Sequence, residues 1–378
     1  MKVLLFANTE WYLFNFRQSL VRALEEAGHD VLLVSPPGPY GEKLRELGFR
    51  WVPAPMVRRS LNPLRELCLV RWLRHLIAVE QVELVHGFTI KCAVYGSIAA
   101  RLEGTPARVN AVAGMGYVFT SDNLKARILR PVVRNLLRYA LAGPRSRLIL
   151  QNPDDTRLFA EAGLADPNAI RLIPGSGVDC QRFSPTMIEP AVARTRFRVV
   201  LPARLLWDKG VAEYVQAARQ LRAQGEAIDF LLAGTPDLGN PAAVPEQLIR
   251  EWVDEGLVQW LGHVSDMPAL FHSVDAVVLP SYREGLPKGL IEAAACALPL
   301  ITTDVPGCRA VVTDEKDGLL VPAKDARALA YAIARLRSDP ALCQRLGAAA
   351  RHKALKQFEE RSVVERTIAV YHELLPEA

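Results

Sequence analysis

The stretch Pro280–Arg309, PSYREGLPKGLIEAAACALPLITTDVPGCR, carries the clearest structural signal in the chain. Its apolar runs, with the residues just before it, predict a buried strand at Ala276–Leu279, a helix over Lys288–Cys296 and a second strand at Leu300–Thr302. Pro287 suits the first turn of that helix, because the N–H that proline lacks would be unsatisfied there. Strand, helix and strand in this order predict a parallel sheet with right-handed crossovers.

The turn before that helix suits an anionic ligand. The backbone of residues 285–289 presents N–H groups at a helix N-terminus, which is a place for a diphosphate. Glu284 directly precedes this turn, and Glu292 follows eight residues later on the helix. Two carboxylates beside an anion site suit a ligand that carries hydroxyls as well as phosphate, and a nucleotide sugar is such a ligand. Taken alone, Glu292 also fits a helix glutamate that only favours the helix dipole.

The whole chain follows the same alternation of strands and helices. Its 378 residues suggest two domains. The pattern pauses over an irregular segment, about residues 174–195, and restarts with a strand at Arg198. We therefore predict an α/β protein with two doubly wound, Rossmann-like parallel sheets that face a central cleft, where such sheets bind ligands. The predicted parts are a first domain (1–190), a nucleotide-sugar-binding domain (191–357) and a C-terminal helix (358–378) that crosses back to the first domain.

Cysteine usage and hydropathy indicate the cellular compartment that the protein occupies. The six cysteines are scattered without a CxxC pair, which predicts reduced thiols in a cytosolic protein rather than a disulfide or zinc framework. The chain has no run of about 18 apolar residues that would span a membrane. The first apolar run, Val3–Ala7, is too short for a signal peptide and fits a first buried strand.

Two basic residues follow the first strand of the second half. Arg204 and Lys209 lie after the predicted strand Arg198–Pro202, and Gly210 opens the next helix. Two cations beside a helix N-terminus suit a diphosphate that leaves as an anion, because arginine grips phosphate oxygens in pairs and lysine adds a point charge. The alternative is a solvated basic pair in a loop.

These segments together resemble a known family. PARLLWDKG, LLAG, WLGHV and SYREGLPKGLIEAAACALPLITTDVPG fall in the order found in the family-4 retaining glycosyltransferases of the GT-B fold, and IPGSGVD resembles that family's interdomain segment. Glu284 and Glu292 have the spacing of its paired-glutamate motif. TEWYLFNFRQSLVRALEEAGHDV, VHGFTIKCAVYGSIAA and VNAVAGMGYVFT resemble bacterial N-acetylgalactosaminyltransferases that extend undecaprenyl-diphosphate-linked diacetylbacillosamine.

The resemblance implies roles for individual residues. Arg204 and Lys209 would hold the leaving diphosphate, Glu284 would contact hydroxyls of the donor sugar, and Glu292 would contact those of the ribose. The other residues that it implies for donor binding are Gly285, Leu286, Pro287, Gly234, Asn8 and Thr9. Lys288 departs from the family pattern, and its charge either reaches the phosphates or points to solvent.

His86 ends a predicted strand, Val82–His86, in the first domain. The resemblance implies that this is the acceptor- and membrane-facing domain. His86 fits a hydrogen-bond partner of the acceptor, a base, or a structural histidine. The family often carries another histidine after the next strand, where this chain has Asn110, Gly114 and Gly116. The resemblance implies that no strong base is needed, because the leaving diphosphate can take the acceptor proton. We expect no metal and no cofactor, since Asp154-Asp155 lacks the Asp-x-Asp pattern of metal-dependent transferases.

Positive charge is concentrated in the first half. Residues 1–190 hold 24 Lys+Arg against 17 Asp+Glu, whereas the remainder holds 22 against 24. Arg58–His75 carries five arginines and one glutamate, and Lys125–Arg147 carries seven basic residues and no acid. Such amphipathic basic segments suit an anionic membrane surface, although an ordinary helix with a solvated basic face has the same pattern. No nucleic-acid-binding motif accompanies the charge.

The sequence therefore predicts an enzyme that moves a hexose or N-acetylhexosamine, with retention, from a UDP-sugar to a polyprenyl-diphosphate-linked saccharide. We expect it to be cytoplasmic and peripheral on the inner face of the plasma membrane. One alternative is a UDP-sugar epimerase of the same fold, and another is a non-catalytic, membrane-associated scaffold.

Overall fold

The computed structural model describes residues 1–58, 60, 62–112, 124–185, 196–237 and 239–375. These residues form two compact units. The first comprises Met1–Ser176 and Arg361–Ala378, and the second comprises Gly177–Glu360. Gly114 and Gly116, named above, lie outside the described residues, as does the predicted domain boundary at 190.

The first unit is a seven-stranded parallel sheet. Its strands, β1 to β7 in chain order, are Lys2–Phe6, Asp30–Ser35, Arg50–Pro53, Leu84–Phe88, Ala107–Val112, Ser146–Leu150 and Ile170–Leu172. They lie in the order β3-β2-β1-β4-β5-β6-β7, and neighbouring strands pair in parallel. The direction of winding reverses between β1 and β4, which makes this pair the topological switch point of the sheet.

Helices cover this sheet, so its central strands are buried on both faces and consist almost entirely of apolar residues. The described helices of the unit are Glu10–Phe16, Gln18–Glu26, Pro39–Glu46, Pro63–Glu80, Thr89–Leu102, Leu124–Leu141, Pro153–Glu161 and Glu360–His372, with a 3-10 turn at Pro167–Ala169.

From the sequence we predict a loop over Asn8–Asn15 after the first strand. This prediction is wrong, because most of the segment is the helix Glu10–Phe16. The hydroxyl of Thr9 caps this helix and accepts a hydrogen bond from the Tyr12 backbone N–H at 3.2 Å. Threonine followed by an acidic first turn is a helix start signal. The aromatic residues that follow obscured the signal in the sequence, since they give no clear apolar periodicity.

The second unit repeats the design with six strands. These are β8 to β13: Phe197–Pro202, Ile228–Ala233, Gln259–Gly262, Ala276–Leu279, Leu300–Thr303 and Leu319–Val321. They lie in the order β10-β9-β8-β11-β12-β13 and pair in parallel. Its described helices are Val211–Ala223, Glu246–Asp254, Met267–His272, Lys288–Ala295, Cys308–Val311, Ala326–Ser338 and Pro340–Lys353, with a 3-10 turn at Trp207–Lys209 and a π-helical turn at Ala354–Phe358. The two sheets confirm the predicted pair of doubly wound domains.

The two units divide earlier in the chain than residue 190, at Ser176–Gly177. The reason is that Val178, Cys180 and Phe183 pack into the apolar core of the second unit. The backbone N–H of Val178 also donates to the Phe358 carbonyl at 2.8 Å, which ties the start of the unit to its end.

The helix Glu360–His372 packs into the core of the first unit. Its buried side chains there are Val363, Val364, Val370 and Tyr371. Burying an aliphatic or aromatic side chain stabilises a fold by roughly 1.5–3 kcal/mol. Arg147 and Arg171 add ion pairs to Glu373, at 2.9 and 2.6 Å. The last helix is therefore an integral part of the first unit.

Candidate active site

The second unit brings Arg204, Lys209 and Glu284 to one edge of its sheet. β8 ends at Pro202, shortly before the two basic residues, and β11 ends at Leu279, shortly before the glutamate. These two strands are neighbours, and the direction of winding reverses between them. Ligands of open α/β sheets bind outside the carboxyl ends of the strands at such a switch point. The predicted residues thus flank the expected ligand position in this unit.

Gly210 allows the loop after β8 to approach the end of β11. It has φ +73° and lies directly before the helix Val211–Ala223. A Cβ atom at this position would stand 2.1 Å from the carbonyl oxygen of Pro280, so only glycine fits without a backbone shift. The close approach places the neighbouring residue, Lys209, beside the loop that carries Glu284.

Lys209 and Glu284 form an ion pair. Lys209 Nζ donates to Glu284 Oε1 at 2.6 Å, and the two side chains are only 15% and 12% exposed. The hydroxyl of Ser281 donates to the same carboxylate oxygen, also at 2.6 Å. Charge-assisted hydrogen bonds of this length are strong, and partial burial protects them from screening by water. The Glu284 carboxylate therefore has a defined position at the switch point.

Two turns hold the backbone of Glu284. Its N–H donates to the Pro306 carbonyl at 3.4 Å. Gly307 has φ +82°, and a Cβ atom there would stand 2.4 Å from the Glu284 carbonyl oxygen. The hydroxyl of Thr303 donates to the Ser281 carbonyl. The sequence prediction missed Ser281, although a hydroxyl residue three positions before an acidic residue is a detectable signal.

The helix Lys288–Ala295 begins as predicted, with Gly285, Leu286 and Pro287 leading into it. Pro287 is its N-cap residue and supplies no side-chain hydrogen bond to the first turn. The backbone N–H groups of Leu290 and Ile291 donate to the Pro287 carbonyl, at 3.1 and 3.4 Å. The positive end of the helix dipole favours an anion here, directly after the loop that carries Glu284.

Glu292 lies on this helix, and its side chain is 15% exposed. Burial raises the pKa of Glu292 to about 6, and the charges of Lys288 and Arg182 oppose that rise. Lys288 Nζ stands 3.9 Å from the Glu292 carboxylate, one helical turn away. The sequence leaves two alternatives for Lys288, contact with the phosphates or exposure to solvent. In the structure its ammonium points along the helix towards Glu292, so neither alternative alone describes it.

Replacing Glu292 by glutamine is expected to stabilise the ligand-free protein at neutral pH. A carboxyl whose pKa is raised from about 4.5 to about 6 on folding destabilises the fold by about 2 kcal/mol once it is ionised. This cost is complete above the folded pKa and disappears below the unfolded value. Melting temperatures of Glu292→Gln and the unchanged protein should therefore differ at pH 7.5 and differ by less than half as much at pH 5. An equal difference in melting temperature at both pH values would contradict the raised pKa of Glu292.

Arg204 stands apart from the Lys209–Glu284 pair. Its guanidinium Nη1 donates to Asp237 Oδ2 at 2.9 Å, and its side chain is 56% exposed. An exposed ion pair contributes little net free energy, so exchange of Asp237 for another anion costs little. Gly234 directly follows β9, and its carbonyl accepts a hydrogen bond from Trp260 Nε1 at 2.8 Å. No motif in the sequence predicts Asp237 as a partner of Arg204.

The first unit holds the remaining predicted residues. Asn8 and Thr9 lie in the expected turn between β1 and the helix Glu10–Phe16, whereas His86 does not end its strand. His86 lies inside β4, which continues to Phe88, and it is 1% exposed. Its Nδ1 and the Tyr371 hydroxyl share a hydrogen bond of 2.5 Å. Asn8 directly precedes Thr9, the helix cap. This geometry favours the structural alternative for His86.

The two basic segments differ in how many of their charges are engaged. Arg134 and Arg138 donate to the Ala162 and Gly163 carbonyls, at the end of a neighbouring helix. Arg147 pairs with Glu373. In the other segment, the start of the helix Pro63–Glu80 exposes Leu64 and Leu67, by 72% and 55%. Arg65 and Arg71 are exposed beside them.

The described part of the chain contains neither a cluster of metal ligands nor a membrane-spanning helix. No three His, Cys, Asp or Glu side chains there are grouped in a way that would hold a metal ion. None of the described helices combines the length and the apolar character that crossing a membrane requires.

Two family models match the chain. The model "Glycosyl transferase 4-like" matches residues 2–152, and "Glycosyl transferases group 1" matches residues 187–353. A Campylobacter jejuni N,N'-diacetylbacillosaminyl-diphospho-undecaprenol alpha-1,3-N-acetylgalactosaminyltransferase is 28% identical over 372 residues, which cover 96% of each chain. An Escherichia coli UDP-Gal:alpha-D-GlcNAc-diphosphoundecaprenol alpha-1,3-galactosyltransferase is 27% identical over 76% of this chain and 75% of its own.

A solved structure shows the same fold. The Anabaena protein HepE, in complex with UDP and glucose, superposes with a TM-score of 0.79 at 19% identity, over 99% of this chain and all of its own. The likeness to HepE concerns the fold, whereas the two models and the two relatives concern the sequence. Together they show that this chain belongs to the family-4 glycosyltransferases of the GT-B fold.

Proposed function

We propose that the protein moves a hexose or N-acetylhexosamine from a UDP-sugar to a saccharide carried on a polyprenyl diphosphate, with retention and without a metal or other cofactor. The names of the Campylobacter and Escherichia relatives support a lipid-linked acceptor, and the second also names a UDP-sugar. The observation that carries the proposal is the Lys209–Glu284 pair at the switch point of the second unit, beside a helix start without a side-chain cap.

The residues of this site suit a leaving diphosphate. During transfer, the bond between the sugar C1 and the β-phosphate oxygen of UDP breaks, and a bond forms from an acceptor hydroxyl oxygen to C1. Attack on the face from which UDP leaves retains the configuration, and the acceptor proton passes to the departing phosphate oxygen. Lys209 and the start of the helix Lys288–Ala295 stabilise the charge that develops on that phosphate. Arg204 adds a second cation when it exchanges Asp237 for phosphate.

The carboxylates orient the rest of the donor. Lys209 turns from Glu284 to the diphosphate, and Glu284 then accepts hydrogen bonds from sugar hydroxyls, with Ser281 still holding it in place. Glu292 accepts hydrogen bonds from the ribose hydroxyls after it has lost its proton. Each carboxylate can accept two hydroxyl donors, which fixes both position and orientation of the ligand.

The direct test is release of UDP from a panel of UDP-sugars, with and without a polyprenyl-diphosphate-linked saccharide. We expect release only with both substrates and an α-linked product from an α-linked donor. Inversion of the configuration would contradict the retaining mechanism. An epimer formed from the UDP-sugar alone would show that the protein is an epimerase. The absence of both reactions and of UDP binding would support the non-catalytic scaffold.

We also propose that the protein lies on the inner face of the plasma membrane, held by both basic segments. Most of the contact would come from the exposed face of the helix Pro63–Glu80 formed by Leu64, Arg65, Leu67 and Arg71. Exposed leucines beside arginines suit the boundary between acyl chains and anionic headgroups. In Lys125–Arg147, by contrast, three arginines hold the fold together, which leaves fewer charges for lipid. A lipid-linked acceptor makes such a location useful.

Replacing Arg65 and Arg71 by glutamine is expected to weaken binding to vesicles of anionic lipid by about tenfold or more, since each basic residue near such a surface contributes about 1 kcal/mol. Co-sedimentation measures the change. The matched control replaces Arg219 and Arg250, which are 55% and 67% exposed in the second unit. Equal binding by both double variants would contradict the role of this face.

A further inference from the structure

A buried arginine lies at the switch point of the first sheet. Arg17 connects the helices Glu10–Phe16 and Gln18–Glu26 and is 5% exposed. Its guanidinium carbon stands 4.3 Å from the ring centroid of Phe88, the last residue of β4. β4 adjoins β1, where the direction of winding reverses. The charge of Arg17 is therefore at the carboxyl edge of the sheet, in the position where α/β sheets bind ligands.

No acidic side chain among the described residues compensates this charge. The guanidinium donates one side-chain hydrogen bond, from Nη2 to the Tyr12 hydroxyl, and its Nε is buried without a partner. The rings of Tyr12 and Phe88 make cation–π contacts with it, at 5.1 and 4.3 Å. Such contacts offset only part of the free energy that burying an ion costs.

A second polar group beside the guanidinium also lacks a partner. The Nε2 atom of His86 is buried without a hydrogen bond, while Nδ1 is engaged with Tyr371. The ring of His86 packs 4.1 Å from that of Phe88. Burial, and then the charge of Arg17, hold the pKa of His86 well below its usual value. The imidazole is therefore neutral at physiological pH, and the cluster carries the single positive charge of Arg17.

The local backbone adds to the positive potential. The helix Gln18–Glu26 starts directly after Arg17, and its first turn has no side-chain cap. Free N–H groups at a helix start favour an anion. An uncompensated guanidinium, an unpartnered imidazole nitrogen and an uncapped helix start thus meet at one switch point.

We propose that Arg17 binds a diphosphate through its paired guanidinium N–H groups. The inference rests on the proposed function, because a diphosphate occurs both in a UDP-sugar and in a polyprenyl-diphosphate acceptor. Tyr12 is half-buried, and its hydroxyl is the acceptor that the ligand replaces. A phosphate oxygen takes over the hydrogen bond from Nη2, and the Tyr12 hydroxyl then donates to the same phosphate. Arginine suits this task because its planar group matches two phosphate oxygens at once.

The test uses the full chain and the thermal shift caused by two diphosphates, UDP and farnesyl diphosphate, with farnesol as the probe that lacks phosphate. The unchanged protein and the control Arg22→Gln, an exposed position on the same helix, are expected to be stabilised by farnesyl diphosphate and not by farnesol. Arg17→Gln is expected to lose the shift with one diphosphate. Loss with farnesyl diphosphate identifies the lipid-linked acceptor, and loss with UDP identifies the donor.

Full shifts with both diphosphates in Arg17→Gln would overturn the proposal. If that variant does not fold, Arg17→Lys serves, since it keeps the charge without the paired N–H groups. We expect it to bind the diphosphate about tenfold more weakly or worse, and unchanged affinity would again overturn the proposal. The readout is binding, so it separates this inference from the proposed function. If the protein transfers no sugar but Arg17→Gln abolishes a diphosphate shift, the proposed function is contradicted and the role of Arg17 is supported.

Discussion

Replacing Glu284 by glutamine is expected to lower the rate of sugar transfer by about two to four orders of magnitude while UDP binds at least as tightly as before. The amide keeps the shape of the side chain but loses the negative charge that strengthens the hydrogen bonds which Glu284 accepts from sugar hydroxyls. It also frees Lys209, which is paired with Glu284 at 2.6 Å in the ligand-free protein. The leaving diphosphate then meets an ammonium that has no competing carboxylate.

Two measurements check this result: steady-state turnover with UDP-sugar and acceptor, and calorimetric binding of UDP. The control is Glu246→Gln, which removes a carboxylate that pairs with Arg250 on an exposed helix. We expect the control to leave both quantities unchanged. Weaker UDP binding together with normal turnover in Glu284→Gln would mean that the carboxylate serves the nucleotide and not the sugar.

Replacing Lys209 by methionine is expected to lower kcat/KM by about two to three orders of magnitude and to weaken UDP binding by about tenfold or more. Lys209 is the least exposed cation of the predicted site and lies at the switch point of the second sheet. Methionine retains much of the apolar stem but carries no charge. The variant should also be less stable, because the carboxylate of Glu284 loses its counter-ion in a partly buried position.

A double-mutant cycle separates the role of Lys209 in stability from its role in sugar transfer. Lys209→Met combined with Glu284→Gln is expected to recover part of the lost melting temperature, since neither charge is then left unpaired, and to recover no turnover. Lys356→Met, at an exposed position of the same unit, is the matched control. UDP affinity that stays the same in Lys209→Met would exclude this lysine from the diphosphate site.

The sequence was sufficient for the architecture and for the placement of Lys209 and Glu284 after neighbouring strands, because both depend on local patterns. Buried runs that alternate with helical segments predict the parallel sheets, and the residues after β8 and β11 then fall at neighbouring strand ends. β13 was missed, because Leu319–Val321 has only three residues and no helix directly before it. The helix Glu10–Phe16 was missed because aromatic residues on several sides hide its apolar face.

Contacts between segments that are distant along the chain could not be predicted from the sequence. Asp237 is separated from Arg204 by the helix Val211–Ala223, the strand β9 and their connecting loops, and nothing in the chain marks it as a partner. The sequence predicts a helix from about Phe16 to Ala27, which would include Arg17, and an arginine in such a helix normally reaches solvent. Only the packing of Tyr12, Phe88 and His86 around it shows that its charge is buried.

The position of the last helix has a consequence for synthesis of the protein. The second unit is continuous in the chain and can fold as soon as it leaves the ribosome. The first unit begins earlier but lacks Tyr371, which lies 199 residues beyond the end of β7. At about 5–20 residues per second, its sheet waits roughly 10–40 s with the surface for Val363, Val370 and Tyr371 uncovered. The part that is made first therefore matures last, and a nascent chain released before Glu360 exposes an apolar surface for chaperones or proteases to recognise.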